Sequence, residues 1–415
     1  MHNIPFDVLE IIVALCDSNR DLLTLSQANR TLQDLAERRL YENINIGALD
    51  EVSRMCRVLH SVVHSALPRG NFILDFGVHD SYFNVTNPGC QLLGGFYRLL
   101  GQALRRMSNL RSLYLHLHPS QAWVINSCTT KLSTVVTNIP AGHLLASWLE
   151  NQDHLVTFLH ADRTPHPIPR EFVVSPNAVS QLRFIGARGG VLERLVPGRP
   201  VICAYLDYAD DFICGVEDDE ERVDYRDVVD ALDASAGPLH TLSVHFRPFT
   251  EENAQSLVPF FEIESFDLSC VRTFDLHWPN NADYIMDIVH FITPLLPNLP
   301  QLQAIQIAAS ADINEDFYDS ADNIANLWRG RAPSLKRVTL RDMNRWTKDS
   351  PTTGLLQFHL EGAEMMSETI LGSIEEVELL KNNMSKPPIQ YLEEDVPFCF
   401  EQYAGTWRSA FIMMD

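Results

Sequence analysis

At 415 residues with 46% hydrophobic and 21% charged side chains, the chain has the make-up of a folded globular protein with material for a large core. Its net charge of -22 and pI near 5.0 argue against non-specific nucleic-acid binding and against anionic membranes, since both need an excess of Lys and Arg. No apolar run reaches bilayer-spanning length and the amino terminus lacks the basic and apolar regions of a signal peptide, so a cytoplasmic or nuclear location is expected.

Three short helices are predicted in the first forty-odd residues. Pro5 suits a helix start, Asp7 places negative charge in the first turn, and two apolar stripes follow, Val8, Ile12, Leu15 and Leu9, Val13, Cys16. A helix on so small a core needs one apolar face. The second stripe must therefore meet another helix, the rest of the chain or a different protein. Ser18 with Asp21 is a capping pair ahead of Leu22, Leu23 and Leu25, and Thr31 with Asp34 repeats the signal ahead of Leu32, Leu35 and Leu40.

The run Ile4-Pro5, Asp7, Val8, Leu9, Ile12, then Asp21-Leu22-Leu23, Leu25, Asn29-Arg30 and Leu40-Tyr41 resembles the F-box family in order and spacing. The departures are Asn29 where the family carries Cys, Leu32 where many members carry Trp or Phe, and Tyr41 for the final Trp. The resemblance implies docking on a Skp-type adaptor through Ile4, Pro5, Val8, Leu9, Ile12, Leu22, Leu23 and Leu25, with Arg30 and Tyr41 supporting the third helix. Taken singly, Leu9, Ile12 and Leu25 are ordinary core residues and Arg30 a solvated charge. Only the set argues for a docking surface.

Further along, an apolar residue, two mostly polar ones, an apolar, a polar and an apolar recur. The frames are Leu110-Leu113-Leu115, Val179-Leu182-Phe184, Leu239-Leu242-Val244, Val271-Phe274-Leu276, Leu302-Ile305-Ile307, Leu335-Val338-Leu340 and Ile374-Val377-Leu379. Helical spacing precedes several of them, as in Leu92, Leu93, Phe96, Leu99, Leu100 and Leu104, in Val228, Val229 and Leu232, and in Ile285, Ile288, Val289 and Ile292. A unit of helix, turn and short strand is expected, stepping 31 to 33 residues between Leu239, Val271, Leu302 and Leu335. Such units stack into a solenoid with a parallel sheet. They resemble the irregular leucine-rich repeats that follow the F-box in many fungal proteins, except that the Asn or Cys of that family just past each strand is missing from nearly every frame, Asn382 excepted. An ordinary α/β domain whose strands share a local pattern is the other reading.

The expected fold is therefore α/β. A three-helix F-box would span residues 1–46, a linker helix 47–68, an irregular leucine-rich-repeat-like domain with a parallel sheet 69–383, and a tail or cap 384–415. Asp207 to Glu221 is an acidic run without the spacing of a calcium loop, hence a solvated loop. Arg163 to Pro169, with three prolines, is an extended connector, and Trp407, Phe411, Ile412 and Met413 cap the last unit.

The eight scattered cysteines form no close pair, as expected of buried thiols in a reducing compartment. His116 and His118 alternate on a strand and share a face, but no third ligand accompanies them and they are expected to be surface histidines, with no metal. The catalytic elbows, phosphate loops and zinc-protease signatures are missing. No enzyme and no cofactor are expected. By resemblance the chain would be the substrate-recognition subunit of a Skp-cullin-F-box ubiquitin ligase, its partners an adaptor, through it a cullin scaffold, and a protein substrate, for which the net charge of -22 alone suggests basic patches. A repeat scaffold whose first helices are only a cap, and a hydrolase with an acidic site, are the rivals from other classes.

Overall fold

The computed structural model describes residues 4–16, 18–46, 52–65, 67–79, 94–162, 168–207, 225–245, 268–278, 292–294, 296–309, 327–328, 330–342, 355–359 and 366–368. The chain is α/β and divides into two units, residues 1–201 with 213–237, and residues 202–212 with 238–415. This division falls inside the 69–383 span expected to be one domain.

The first unit opens with helices α1 (Phe6–Ala14), α2 (Asn19–Ala28) and α3 (Arg30–Glu42). Ser18 starts α2 as expected, its hydroxyl accepting from the Arg20 amide at 3.2 Å. The cap of α3 differs from expectation. Asn29, not Thr31, accepts from the Leu32 amide at 2.9 Å, because a carboxamide at this position reaches the third orphan N–H from extended backbone. One of the three departures from the F-box pattern, Asn29, is thus the residue that begins the helix.

Strand β1 (Asn43–Ile46) follows α3 directly and pairs in parallel with β2 (Asp75–His79), Ile44 opposite Phe76 and Ile46 opposite Val78. Ile44 and Ile46 continue the alternation of the strands beyond residue 46, and the helical trio runs straight into the sheet. Between them α4 (Val52–His64), expected as a linker, packs on α5 (Gly94–Arg106), burying Met55, Leu59, Val62 and Val63. It is part of the core.

Strands β3 (Ser112–His116), β4 (Thr134–Thr137), β5 (Thr157–His160) and β6 (Phe184–Ala187) continue the parallel order, each pairing with the one before. One column of the register runs Phe76, Leu113, Val135, Phe158, Ile185, and every member is buried. The carbonyl just before each of β2, β3, β4 and β5 accepts two amides at the entry of the next strand, as Leu74 does from Arg111 (2.7 Å) and Ser112 (3.0 Å), which locks the register there. Helices α6 (His143–Leu149), α7 (Gly189–Leu195) and α8 (Tyr225–Asp233) complete the unit, with Val228, Val229 and Leu232 buried as their spacing required.

The frame expected at Val179-Leu182-Phe184 is out of register by three residues. Ile185 pairs with Phe158, so the frame is Leu182-Ile185-Ala187, with Phe184 only half-buried and Val179 in a turn at φ 46°. Three apolar residues in a row of such spacing admit two phases, and the turn at Val179 selects the later one.

Close backbone approach fixes Gly70, in the short 3-10 helix Arg69–Phe72. A Cβ there would run into the Arg106 carbonyl oxygen, whereas one at Gly94 meets nothing. Gly70→Ala is expected to lower stability by about 2 kcal/mol and Gly94→Ala to leave it unchanged or raise it slightly. Thermal unfolding of the two variants checks both.

In the second unit β7 (Cys203–Asp207), β8 (Thr241–His245), β9 (Thr273–Trp278), β10 (Ala304–Ala309) and β11 (Arg337–Asp342) pair in parallel in chain order. The frames at Leu239, Val271, Leu302 and Leu335 all fall on these strands. β12 (Leu355–His359) and β13 (Met366–Glu368) then pair antiparallel, which no frame signalled. Trp328 is fully buried and its indole N–H donates to the Thr293 hydroxyl at 2.8 Å, the partner a buried indole requires. The expected frame at Ile374, Asn382, the helical stretch at Ile285 to Val289, the acidic run beyond Asp207, most of the proline connector and the 384–415 tail lie outside the described residues.

Candidate functional site

The trio closes on a small core of Val13, Leu22, Leu35 and Ala36, ringed by the partly buried Leu9, Cys16, Leu25, Leu32 and Leu40. One of the two stripes of α1, Leu9, Val13 and Cys16, is the one that faces this core. The other stays in water. Ile4, Phe6, Val8, Ile11, Ile12 and Leu15 on the first segment and Leu23 on α2 are each 40% exposed or more, Leu15 reaching 76%. Leaving so much aliphatic surface wet costs free energy that burial in the monomer would recover, about 1 kcal/mol for each half-covered side chain. Asp7 and Glu10 are the exposed carboxylates of the same helix.

Of the residues expected on the docking face, Ile4, Pro5, Val8, Ile12, Leu23 and Arg30 are exposed. Leu9 and Leu25 are half-buried against the core. Leu22 is corrected: at 3% exposure it is a core residue, because position 22 of the helix points at Val13 and Leu35 while Leu23 points away. Phe6, Ile11 and Leu15 were not among the expected contact residues. Their signal was present, since α1 is apolar nearly all round and such a helix cannot satisfy itself on one neighbour.

Tyr41 faces inward to the rest of the unit. Its hydroxyl lies 3.0 Å from that of Ser61 on α4, and the Arg69 guanidinium sits 5.2 Å over its ring. Arg69 also pairs with the half-hidden Glu37 at 3.2 Å. Burial works against the charge on Arg69, but the hydrogen bond and charge of Glu37 and the nearness of Tyr41 outweigh it and hold the guanidinium pKa above its usual value. Tyr41, Glu37, Arg69 and Ser61 together fasten α3 to α4 and to the turn behind it, so the exposed apolar face stands on a braced support.

The histidine pair is rearranged. His116 ends β3 and stacks on His79 of β2, ring centroids 5.6 Å apart, while His118 leaves the strand and caps the 3-10 helix Pro119–Ser127 by accepting from the Ser120 amide. Asn138, just past β4, accepts from the Leu117 amide at 2.8 Å and donates to the Leu117 carbonyl at 2.9 Å. Asn138 thus satisfies both backbone groups of Leu117 in the turn past β4. Cys16, Cys56, Cys128, Cys203 and Cys270 are free thiols, and burial pushes that of Cys128 up to about 11.

No protein-family model matches the chain, and no curated protein is similar to it.

Proposed function

We propose that the chain is the substrate-recognition subunit of a Skp-cullin-F-box ubiquitin ligase. The single observation that carries the reading is the exposed apolar face of α1 and α2, contributed by Ile4, Val8, Ile11, Ile12, Leu15 and Leu23. An aliphatic face of this kind, on a helical trio whose sequence resembles the F-box, fits a helical adaptor that covers it. The parallel strands with their repeating entry hydrogen bonds support an irregular leucine-rich-repeat-like solenoid as the substrate-holding part. The chain itself would make no bond. It would raise the effective concentration of a target lysine near a ubiquitin-loaded enzyme, in the cytoplasm or nucleus, with the cullin joined through the adaptor.

The test is capture of a purified Skp-type adaptor by the full chain and by its Val8→Asp/Ile12→Asp variant. Both side chains are exposed, so the fold is expected to survive, which circular dichroism checks. Two carboxylates forced into an apolar interface without partners are expected to weaken binding at least a hundredfold. Equal capture by wild type and variant sinks the docking face, and no capture by wild type favours the scaffold without a ligase role.

A further inference from the structure

Helix α4 sets its apolar residues on one side, where Met55, Leu59, Val62 and Val63 are buried. Its other side carries Arg57, His60 and His64, all exposed. His60 and His64 are four residues apart, and that spacing stacks two side chains one above the other on a helix face. The rings do meet: their centroids are 4.3 Å apart and their planes tilted by 37°. Among the described residues no hydrogen bond or ion pair occupies either ring. Nor does the fold need the pair, since Ser61 between them is the residue that turns inward to Tyr41 and the Val58 carbonyl.

An imidazole nitrogen is a ligand for late first-row divalent cations, at about 2.0–2.1 Å from a zinc ion. Rings already in contact need only turn about their side-chain bonds to aim one nitrogen each at a common point, and two exposed side chains have room to turn. The donor set selects the ion. Helix α4 has no Asp or Glu, so it offers none of the carboxylate oxygens that calcium and magnesium require. Cys56, one turn before His60, is a half-buried thiol, and no group of three His, Cys, Asp or Glu among the described residues could hold a metal. Two nitrogens are therefore the whole of the protein's share, and water fills the other positions. The charge of Arg57 opposes a cation, but on an exposed helix face it is screened by salt.

We propose that His60 and His64 form a bidentate site for a late first-row divalent cation on the outer face of α4. The two nitrogens come together only when α4 is helical, so the ion binds the folded chain and stabilises the helix that packs on α5. Neither histidine belongs to the apolar face of α1 and α2 or to the brace of Tyr41, Glu37, Arg69 and Ser61. The proposal rests on no part of the adaptor reading.

The experiment is isothermal titration calorimetry of the full chain with nickel chloride at pH 7.5. Nickel is the probe because it suits imidazole, whereas zinc is drawn to thiolates as well. The chain holds 15 histidines, so the site is read by comparing variants. Wild type is expected to show a one-to-one phase that excess magnesium does not displace. His60→Gln and His64→Gln are each expected to weaken that phase about a hundredfold, because the remaining nitrogen loses the effective concentration its neighbour supplies. Nickel is likewise expected to raise the urea midpoint of wild type and not that of the double variant. His154→Gln, which removes an exposed histidine elsewhere, is expected to leave the phase intact, as is Val8→Asp/Ile12→Asp. Circular dichroism checks the fold of each variant. Persistence of the phase in the His60→Gln/His64→Gln double variant, or its equal loss in His154→Gln, overturns the proposal.

Discussion

Replacing Arg199 with Met is expected to lower the stability of the first unit by about 4 kcal/mol, the order seen when one member of a buried charged network is removed. The side chain is 1% exposed and its guanidinium is held by backbone carbonyls: Nε donates to Ala178 at 3.0 Å, one terminal nitrogen to Leu195 at 2.8 Å and the other to Ser175 at 2.7 Å. Three peptide segments, two before β6 and one at the end of α7, meet at this one residue. Its own carbonyl accepts from the Ala236 amide and the Ser235 hydroxyl beyond α8, so a fourth segment is tied to the same point. Burial lowers the guanidinium pKa and the Glu150 carboxylate opposes the shift, and a guanidinium so placed stays charged at neutral pH.

Methionine keeps much of the volume and removes every N–H. The carbonyls of Ala178 and Leu195 then lose the guanidinium, each at about 1–3 kcal/mol if water does not reach it, while the Ser175 carbonyl keeps the Ala178 amide at 3.0 Å. Urea unfolding monitored by circular dichroism measures the shift in midpoint at constant slope. A change below about 1 kcal/mol would mean that water replaces the guanidinium and that the cage closes the unit through packing alone.

Apolar residues at all three places of the frame made part of the parallel sheet legible, although Ile73-Phe76-Val78 on β2 and Val201-Ala204-Leu206 on β7 carry the same frame and stand outside the seven given above. β3, β8, β9, β10 and β11 fall under frames read from the chain, and the helices before β3 and β8 had the right spacing. β4 and β5 have the same frame with a polar third member, Leu132-Val135-Thr137 and Leu155-Phe158-His160, and all six residues are buried. Apolar triplets alone do not include them, because Thr137 and one nitrogen of His160 are bonded inside: the Thr137 hydroxyl accepts from the Ile139 amide, and His160 Nε2 bonds the Ile139 carbonyl. With these strands included, Leu113, Val135 and Phe158 are 22 and 23 residues apart, shorter than the 31 to 33 of the later strands, so the expected long step describes the second unit alone.

The candidate surface divided along the same line. Two stripes on α1 were legible from spacing, and an unmatched one was to be expected. Which stripe faces the core is decided by Leu35 and Ala36 on α3, a tertiary fact that no local pattern contains. The same holds for Leu22 and Leu23, adjacent in sequence and opposite in environment.

His160 is expected to make the protein lose stability as the pH falls below about 6.5. The imidazole is 1% exposed, with one nitrogen 2.8 Å from the Ile139 carbonyl, which fixes the proton on Nε2, and with no hydrogen-bond partner for Nδ1 among the described residues. Burial lowers its pKa; the nearby Asp162 opposes this and Arg188 adds to it. Above about pH 6.5 the histidine is neutral in both folded and unfolded chains and has no effect on their balance. Below that the unfolded chain takes up a proton that the folded one refuses, so stability falls with pH, at up to about 1.4 kcal/mol per unit, until the folded pKa is reached. His79, whose pKa burial also lowers, adds to the same slope. His160→Gln keeps a donor for the Ile139 carbonyl and removes the titration. Urea unfolding between pH 7.5 and 5 is expected to show a steep loss of stability in wild type and a loss shallower by about one proton in H160Q. Parallel pH profiles for the two proteins would show that the folded chain accepts a proton at His160 after all, through an opening that admits water to Nδ1.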